Sequence, residues 1–240
     1  MHRFGAHMSI SGGHHMALGR VSQIGGNCIQ IFSSSPRGWN QANPDDNQIK
    51  TFVDTKKKLG IDPAYFHASY LINLADSSRI GHFSKQSLIN EMNIAPKMGI
   101  KGSVIHLGSY KTETTSEKYN ILIDNIKEII DKTNSDSLFI IENAGNRKIG
   151  RSLEEIGRIV KDVKSTRVKV CLDTCHLFAN GYDLKTNAKL EDFLQEFNSH
   201  IGLNRLELWH FNDSRDILNS GRDRHENIGE GMIGTDEFTT

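Results

Sequence analysis

The sequence predicts a parallel α/β fold of the (β/α)8 TIM-barrel class. Seven short, apolar and often β-branched runs alternate with segments whose apolar residues recur at helical spacing. The connections between them are short, which favours a barrel over a doubly wound sheet. The sequence contains no linker, low-complexity segment or repeat, so we expect a single domain over residues 1–240.

Each element is predicted from its apolar pattern and from the residues that flank it. The second predicted helix is capped by Asp45 or Asp46 and stops at Gly60. In the fifth predicted helix, Ser152 is the cap and Glu155 completes a capping box. Pro96 disturbs the end of the third helix. Strands are predicted over residues 3–8, 28–32, 64–66, 103–105, 138–141, 168–172 and 206–209. Helices are predicted over residues 14–25, 45–59, 84–98, 116–132, 152–163 and 189–200, and a last helix from about residue 235.

The composition excludes several classes of protein. The formal net charge is zero, so any nucleic-acid partner must be held by a local patch of charge. The three cysteines, Cys28, Cys171 and Cys175, lie in or beside apolar runs, which is typical of buried thiols in a reducing compartment. The sequence lacks the roughly 20-residue apolar run that a membrane span needs and has no signal-peptide pattern at its start. We therefore expect a cytoplasmic protein without a membrane partner.

Side chains that bind metals stand at the ends of five successive predicted strands. Because a barrel gathers the carboxyl ends of its strands at one rim, these side chains are expected to converge. A single histidine there is more often a packing residue, and an Asp173 that only caps the next helix is the alternative reading of the sixth strand end. Eight nitrogen and oxygen ligands exceed one tetrahedral zinc and favour two or three metals that share a carboxylate. The candidates are His67, His106, Glu142, Asp173, His176, His210, Asp223 and His225.

Several motifs resemble those of endonuclease IV, the zinc-dependent apurinic/apyrimidinic endonuclease family of base-excision DNA repair. The resemblance rests on Gly5 to Ser9, Cys171 to Asp183, Asp223-Arg224-His225 and Gly229 to Gly234, and it covers nearly all of the chain. It implies a xylose-isomerase-like barrel with three zinc ions at the rim. By the resemblance, one zinc takes His67, His106 and Glu142, a second takes Glu142, Asp173 and His210, and the third takes His176, Asp223 and His225.

The resemblance also implies a reaction and a substrate. The expected enzyme is a deoxyribonuclease IV that hydrolyses the phosphodiester 5′ to an abasic site in double-stranded DNA and leaves a 3′-hydroxyl. Glu142 is the expected catalytic residue because it bridges two metals, and the expected protein is a monomer. Arg37, Tyr70 and Leu71 are expected to insert into the DNA, although a buried loop aromatic and a solvated arginine are the alternative reading.

Two further expectations concern DNA contacts. The loop after the second strand departs from the usual family pattern at Ser35, Pro36 and Gly38, so its detailed contacts are expected to differ. Three arginines after the seventh strand are candidates for phosphate contacts, which would make binding dependent on salt: Arg215, Arg222 and Arg224.

The family barrel implies an eighth strand that ends in a glutamate, and we expect this chain to lack that strand and the helix before it. The second zinc would then keep only Glu142, Asp173 and His210 and be weakened. Two rival functions stay open at this point. One is a metal-dependent sugar isomerase or epimerase with a related barrel and fewer metals. The other is a protein that binds damaged DNA without cutting it.

Overall fold

The structure is a computed structural model that describes residues 2–234. Contacts divide the chain into two compact units. The first comprises Met1–Ile72, Ser77–Ile105 and Asn125–Phe139, and the second comprises Asn73–Asp76, His106–Asp124 and Ile140–Thr240. The expectation of a single domain over residues 1–240 stays a prediction.

The first unit holds four parallel strands in chain order. Their register aligns Phe32 with His67, and His67 with Val104, so the carboxyl ends of β2, β3 and β4 lie side by side. Apolar side chains from α1, β2, α2 and β3 form one fully buried cluster that includes Leu18, Ile31 and Phe52. The elements are β1 (Gly5–Met8), α1 (His14–Gln23), β2 (Cys28–Phe32), α2 (Asp46–Leu59), β3 (Ala64–His67), α3 (Arg79–Ile94) and β4 (Gly102–Ile105).

The second unit contains the carboxyl ends of the next strands. β6 lies between β5 and β7, and β6 and β7 run parallel, with Asp173 opposite His210. Helices α5 and α7 pack together through buried apolar faces. Helix α4 and strand β5 each have residues in both units. The elements are α4 (Ser116–Asp131), β5 (Leu138–Glu142), α5 (Leu153–Val163), β6 (Val168–Asp173), α6 (Thr174–Ala179), α7 (Asn187–His200), β7 (Leu206–His210), β8 (Asp213–Ser214) and β9 (His225–Glu226).

Helix ends follow the residues that cap them. Asp45 accepts a hydrogen bond from the Gln48 amide in a complete capping box, and Gly60 ends α2 in the left-handed conformation at φ 66°. The expected box at α5 is wrong in one half. Ser152 does accept from the Glu155 amide, but the Glu155 carboxylate accepts from the amides of Gly150 and Arg151 instead.

Three other elements differ from prediction. Helix α3 begins five residues earlier than expected because Ser78 caps it. The predicted polar loop after β7 contains the antiparallel pair β8–β9. The short helix α6 follows β6 directly, because Asp173 accepts the His176 amide as its N-cap. Pro96 does end α3, in a 3₁₀ turn over Ala95–Met98.

Two further expectations concern the last predicted helix and an eighth strand. The last predicted helix, from about residue 235, lies outside the described residues, and the expected lack of an eighth strand stays an expectation. Among residues 2–234, no helix has the length and apolar character needed to cross a membrane.

Candidate metal centre

Three strands of the second unit end in a candidate ligand. Glu142 ends β5, Asp173 ends β6 and His210 ends β7, while His106 directly follows β4. Glu142 and Asp173 are 2% and 0% exposed. A buried carboxylate needs cations or donors around it, because burial without them costs several kcal/mol. The strand ends of this unit therefore bring acidic groups and imidazoles to one place.

A first group of ligand atoms comes from His176, Asp223 and His225. The His176 Nε2 lies 3.1 Å from Asp223 Oδ1 and 3.2 Å from His225 Nε2, and the third side of the triangle, His225 Nε2 to Asp223 Oδ1, is 3.3 Å. Zinc bonds of about 2.0–2.2 Å place neighbouring ligands of a tetrahedron about 3.3–3.6 Å apart. The spacing of these three atoms is close to that of three corners of a zinc site, so the residues present fit this metal.

The backbone fixes which nitrogen of His176 faces this group. His176 Nδ1 lies 2.9 Å from the carbonyl oxygen of Asn143, which can only accept a hydrogen bond. Nδ1 therefore carries a proton, and Nε2 is the nitrogen that faces Asp223 and His225 and that a metal would bind in place of a proton. A carbonyl behind the imidazole is the usual support for a histidine that binds a metal.

A second group forms around Glu142. Its Oε2 lies 3.2 Å from His106 Nε2, and its Oε1 lies 3.0 Å from His210 Nδ1. Each oxygen of one carboxylate thus faces a different imidazole. Imidazoles from two different strand ends therefore meet at this one carboxylate. Asp173 extends the group, because its Oδ2 lies 3.9 Å from His210 Nδ1 and 3.8 Å from His225 Nε2.

Two asparagines outside the predicted ligand set hold Asp173 in place. Asn212 Nδ2 donates to Asp173 Oδ2 at 2.6 Å, which leaves that oxygen one more lone pair. The side chain of Asn143 accepts from the Asp173 amide at 2.6 Å and donates to its carbonyl at 3.3 Å. Both asparagines stand one or two residues after a strand-end ligand, Glu142 or His210, and this position was the signal available in the sequence.

The charges of the group favour a bound cation. Burial opposes a charge on His176, but the carboxylates of Asp173, Asp223 and Glu142 outweigh it and raise its pKa to about 9. Burial likewise opposes charge on His210, yet the Glu142 carboxylate beside it holds its pKa above the usual value. Carboxylates that stabilise a protonated imidazole also favour a bound metal ion, which competes with the proton for the nitrogen lone pair.

The two buried thiols lie beside these ligands. Cys171 groups with Glu142 and His210, and Cys175 with Asp173 and His225, each with ligand atoms within 4.8 Å of one another. Burial raises the pKa of both thiols to about 12. Cys171 is fully buried inside an apolar strand, as its place in the sequence predicts.

The sequence matches a family model described as a xylose isomerase-like TIM barrel over residues 18–240. A protein named probable endonuclease 4 from Thermosipho africanus is 37% identical over 243 residues, which cover 98% of this chain and 86% of that protein. The chain belongs to the endonuclease IV family. The crystal structure of endonuclease IV from Thermus thermophilus superimposes with a TM-score of 0.85 at 30% identity and covers 97% of this chain and 84% of that one.

These matches confirm the predicted TIM-barrel class and the predicted endonuclease family. A D-tagatose 3-epimerase-like protein also superimposes, with a TM-score of 0.73 over 96% of this chain and 82% of that chain. At 18% identity, that likeness shows the fold alone. The endonuclease IV family is metal-dependent, and the second unit has several groups of side chains able to hold a metal.

The remaining predicted ligand of this endonuclease IV family member, His67, lies in the first unit. It ends β3, is 7% exposed, and its Nδ1 lies 2.9 Å from the Ala68 carbonyl oxygen, so its Nε2 keeps a lone pair. The rings of Phe32 and Tyr70 pack around it at centroid distances of 5.6 and 6.2 Å. Its assignment to the first zinc stays a prediction.

The three predicted DNA-inserting residues are on the surface of the first unit. Tyr70 is 61% exposed and Leu71 is 37% exposed, and Arg37 is exposed. The alternative of a buried loop aromatic is therefore wrong. Two hydrogen bonds join the loop after β2 to the loop after β3. The Pro36 carbonyl oxygen accepts from the Ser69 hydroxyl at 2.7 Å and from the Tyr70 amide at 3.3 Å.

The three arginines proposed for phosphate contacts all have carboxylate partners. Arg224 binds Asp216 through Nε and Nη2 at 2.7 and 2.5 Å, and Arg222 lies 3.5 Å from the same carboxylate. Arg215 Nε lies 3.0 Å from Glu226. The carboxylates neutralise part of the positive charge with which these arginines would attract a phosphate. The expected phosphate contacts stay a prediction.

Proposed function

We propose that this chain is a DNA-repair endonuclease that cuts the phosphodiester 5′ to an abasic site in double-stranded DNA and leaves a 3′-hydroxyl. The observation that carries the proposal is the pair of adjoining ligand groups in the second unit, one around Glu142 and one formed by His176, Asp223 and His225. The ligands of one group are enough for a single metal ion, so two adjoining groups favour more than one metal.

The proposal assigns three zinc ions to eight side chains. Glu142 is shared between the first two ions, which supports its role as the catalytic residue. When bound, the metals supply Lewis-acid chemistry, lowering the pKa of water and neutralising charge on the phosphate. The first ion takes His67, His106 and Glu142, the second takes Glu142, Asp173 and His210, and the third takes His176, Asp223 and His225.

The protein's own groups prepare the site for that chemistry. The Asn143 carbonyl accepts a hydrogen bond from Nδ1 of His176, so that Nε2 would be the nitrogen available to hold a metal. Asn212 holds the Asp173 carboxylate in one orientation. Both contacts reduce the rearrangement needed when a phosphate enters, because ligands that are already oriented cost less to organise.

Exposed side chains of the first unit suit a substrate that has lost a base. Leu71 is an apolar wedge of the kind that fills a gap in a base stack, Tyr70 offers a ring for stacking, and Arg37 offers a positive charge. A base-paired duplex has no such gap. We therefore assign these three residues to recognition of the abasic nucleotide. We further propose that the chain acts as a monomer.

An incision assay tests the proposal directly. A 5′-labelled duplex with one stable abasic analogue is incubated with the zinc-loaded protein, and an undamaged duplex is the matched control. We expect a single nick 5′ to the lesion, with an end that a DNA polymerase extends without further treatment. Binding without a nick would support the non-cutting alternative, and a nick 3′ to the lesion would contradict the proposed reaction.

Metal content separates the proposal from the epimerase alternative. Elemental analysis of protein purified without chelator is expected to give more than one zinc per chain. One metal per chain, together with no incision, would favour the sugar epimerase reading.

A further inference from the structure

Another buried carboxylate of the second unit, Asp213, has partners of a different kind. It is 0% exposed and accepts five backbone amides. Its Oδ1 accepts from Ser214 at 2.7 Å and from Ile233 at 2.8 Å. Its Oδ2 accepts from three glycine amides at 2.9, 3.1 and 3.2 Å, which belong to Gly229, Gly231 and Gly234. None of the salt bridges found among the described residues involves it.

Only a carboxylate supplies this set of acceptors. An asparagine in place of Asp213 would keep one acceptor oxygen and would turn an NH₂ group toward amides that themselves donate. Several donors would then be buried without an acceptor, which is the costly case for hydrogen bonds. The Asp213 charge therefore organises the segment Gly229–Gly234, which begins four residues after His225.

Close packing adds to this arrangement. A Cβ on Gly231 would lie 2.4 Å from the Ser214 carbonyl oxygen and 2.5 Å from Asp213 Oδ1, so that only glycine fits. The neighbouring Met232 amide donates to that same Ser214 carbonyl at 2.7 Å. The segment is thus held tightly along one side of β8.

The other side of β8 holds the strand that carries a metal ligand. Asp213 pairs with Glu226 and Ser214 pairs with His225, and the Arg215 amide donates to the Arg224 carbonyl at 3.0 Å. Strand β8 therefore has β9 on one side and the Gly229–Gly234 segment on the other. Because β9 leads directly into that segment, its position depends on both contacts.

We infer that Asp213 is a positioning residue that holds His225, and Asp223 before it, in place to bind a metal. This inference rests on the proposed function, since it concerns the ligand group of His176, Asp223 and His225. Asp213 touches neither the metal ligands' donor atoms nor the substrate, and it acts through the backbone on both sides of β8.

The test compares Asp213→Asn with the wild type and with Asp162→Asn. Asp162 is a carboxylate of the same unit that accepts from the Tyr119 hydroxyl, outside the metal centre. Zinc content, the spectrum of the cobalt-substituted protein, amide exchange and incision of an abasic duplex are measured for all three.

We expect Asp213→Asn to bind one metal fewer per chain and to lose the cobalt absorption of one site. Amides of Gly229–Gly234 should exchange about 10- to 100-fold faster, as expected for loss of hydrogen bonds to a charged acceptor. The kcat should fall more than KM changes, because Arg37, Tyr70 and Leu71, which the proposed function assigns to recognition of the abasic nucleotide, lie outside this segment. Asp162→Asn should match the wild type in all four measurements.

Two outcomes would overturn the inference. If the amides of Gly229–Gly234 exchange faster in Asp213→Asn but every metal is retained, Asp213 only anchors that segment. If a metal is lost while exchange is unchanged, the loss does not pass through this segment. A wild type that binds its metals but cuts no abasic duplex would sink the proposed reaction, and the metal and exchange data would still decide the role of Asp213.

A second variant covers the case in which Asp213→Asn does not fold. Gly231→Ala keeps the carboxylate and displaces the segment through its new Cβ. It is expected to lose the same metal, and a full metal complement in this variant would contradict the inference.

Discussion

Glu91 in the first unit and Glu142 in the second are both buried glutamates, 3% and 2% exposed, but their partners differ. Glu91 accepts hydrogen bonds from the hydroxyls of Ser33 and Ser103. Glu142 faces the imidazoles of His106 and His210. Hydroxyls satisfy a carboxyl group without a compensating charge, whereas imidazoles and metals bring positive charge to it.

This difference indicates what each buried acid does. Burial raises the pKa of Glu91, and the hydrogen bonds from Ser103 and Ser33 oppose this only in part. Glu91 is therefore a structural acid that links the strand end at Ser33 with β4. Glu142 lies among ligand atoms and is suited to bind cations. Burial alone does not distinguish the two glutamates, and the chemistry of their neighbours does.

The largest effect is expected from Glu142→Gln. An amide cannot bridge two metals, so both ions of the proposed pair should weaken. Several kcal/mol of lost charge stabilisation correspond to a fall in kcat/KM on abasic duplex of about 1,000-fold. The matched variant Glu91→Gln should stay within about 3-fold of the wild type, since it removes no ligand. Similar losses in both variants would show that Glu142 has no bridging role.

A smaller loss is expected from His225→Ala. His225 contributes to one ligand group, whereas Glu142 contributes to two, so its removal should reduce kcat/KM by about 100-fold. Zinc analysis should show one ion fewer per chain. If His225→Ala were as inactive as Glu142→Gln, the assignment of separate metals to the two groups would be wrong.

Much of the fold could be predicted from the sequence, but only one half of this contrast, the Glu142 ligand, could be. Strand ends such as Glu142 and Asp173 were visible because an apolar run is followed by a ligand-type residue. Partners such as Asn143, Asn212 and the hydroxyls around Glu91 were not, because no local pattern encodes a contact between distant strand ends. The hairpin β8–β9 was missed for a similar reason, since two-residue strands have no periodicity to detect.

The next effect concerns the surface of the first unit. Leu71→Ala should weaken binding to abasic duplex by about 10-fold and leave binding to undamaged duplex unchanged. An apolar side chain gains this much only where a missing base leaves space for it. Titration of both duplexes at one fixed salt concentration measures it. An equal loss on both duplexes would mean that Leu71 supports the loop and does not insert into DNA.

The smallest effect is on stability and concerns the pH dependence of Glu91. Its folded pKa is raised above that of the unfolded chain, so the folded state binds this proton more tightly. The resulting stabilisation is fully present below the unfolded pKa, near 4.3 on average, and is lost as the pH rises through the folded pKa. Glu91→Gln has no proton to lose. Its amide can accept from one serine hydroxyl and donate to the other.

Urea unfolding of both proteins from pH 4 to pH 8 measures this effect. We expect the free energy of unfolding of the wild type to fall relative to Glu91→Gln as the pH rises, and then to run parallel to it. Glu128→Gln is the control of opposite sign, because hydrogen bonds from Lys132 and Lys85 lower the pKa of Glu128. The stability that Glu128 provides is present at neutral pH and is lost as the pH falls. If the wild type and Glu91→Gln stayed parallel over the whole range, the pKa of Glu91 would be the same in the folded and the unfolded protein. Glu91 and Glu142 would then differ only in where they lie in the protein.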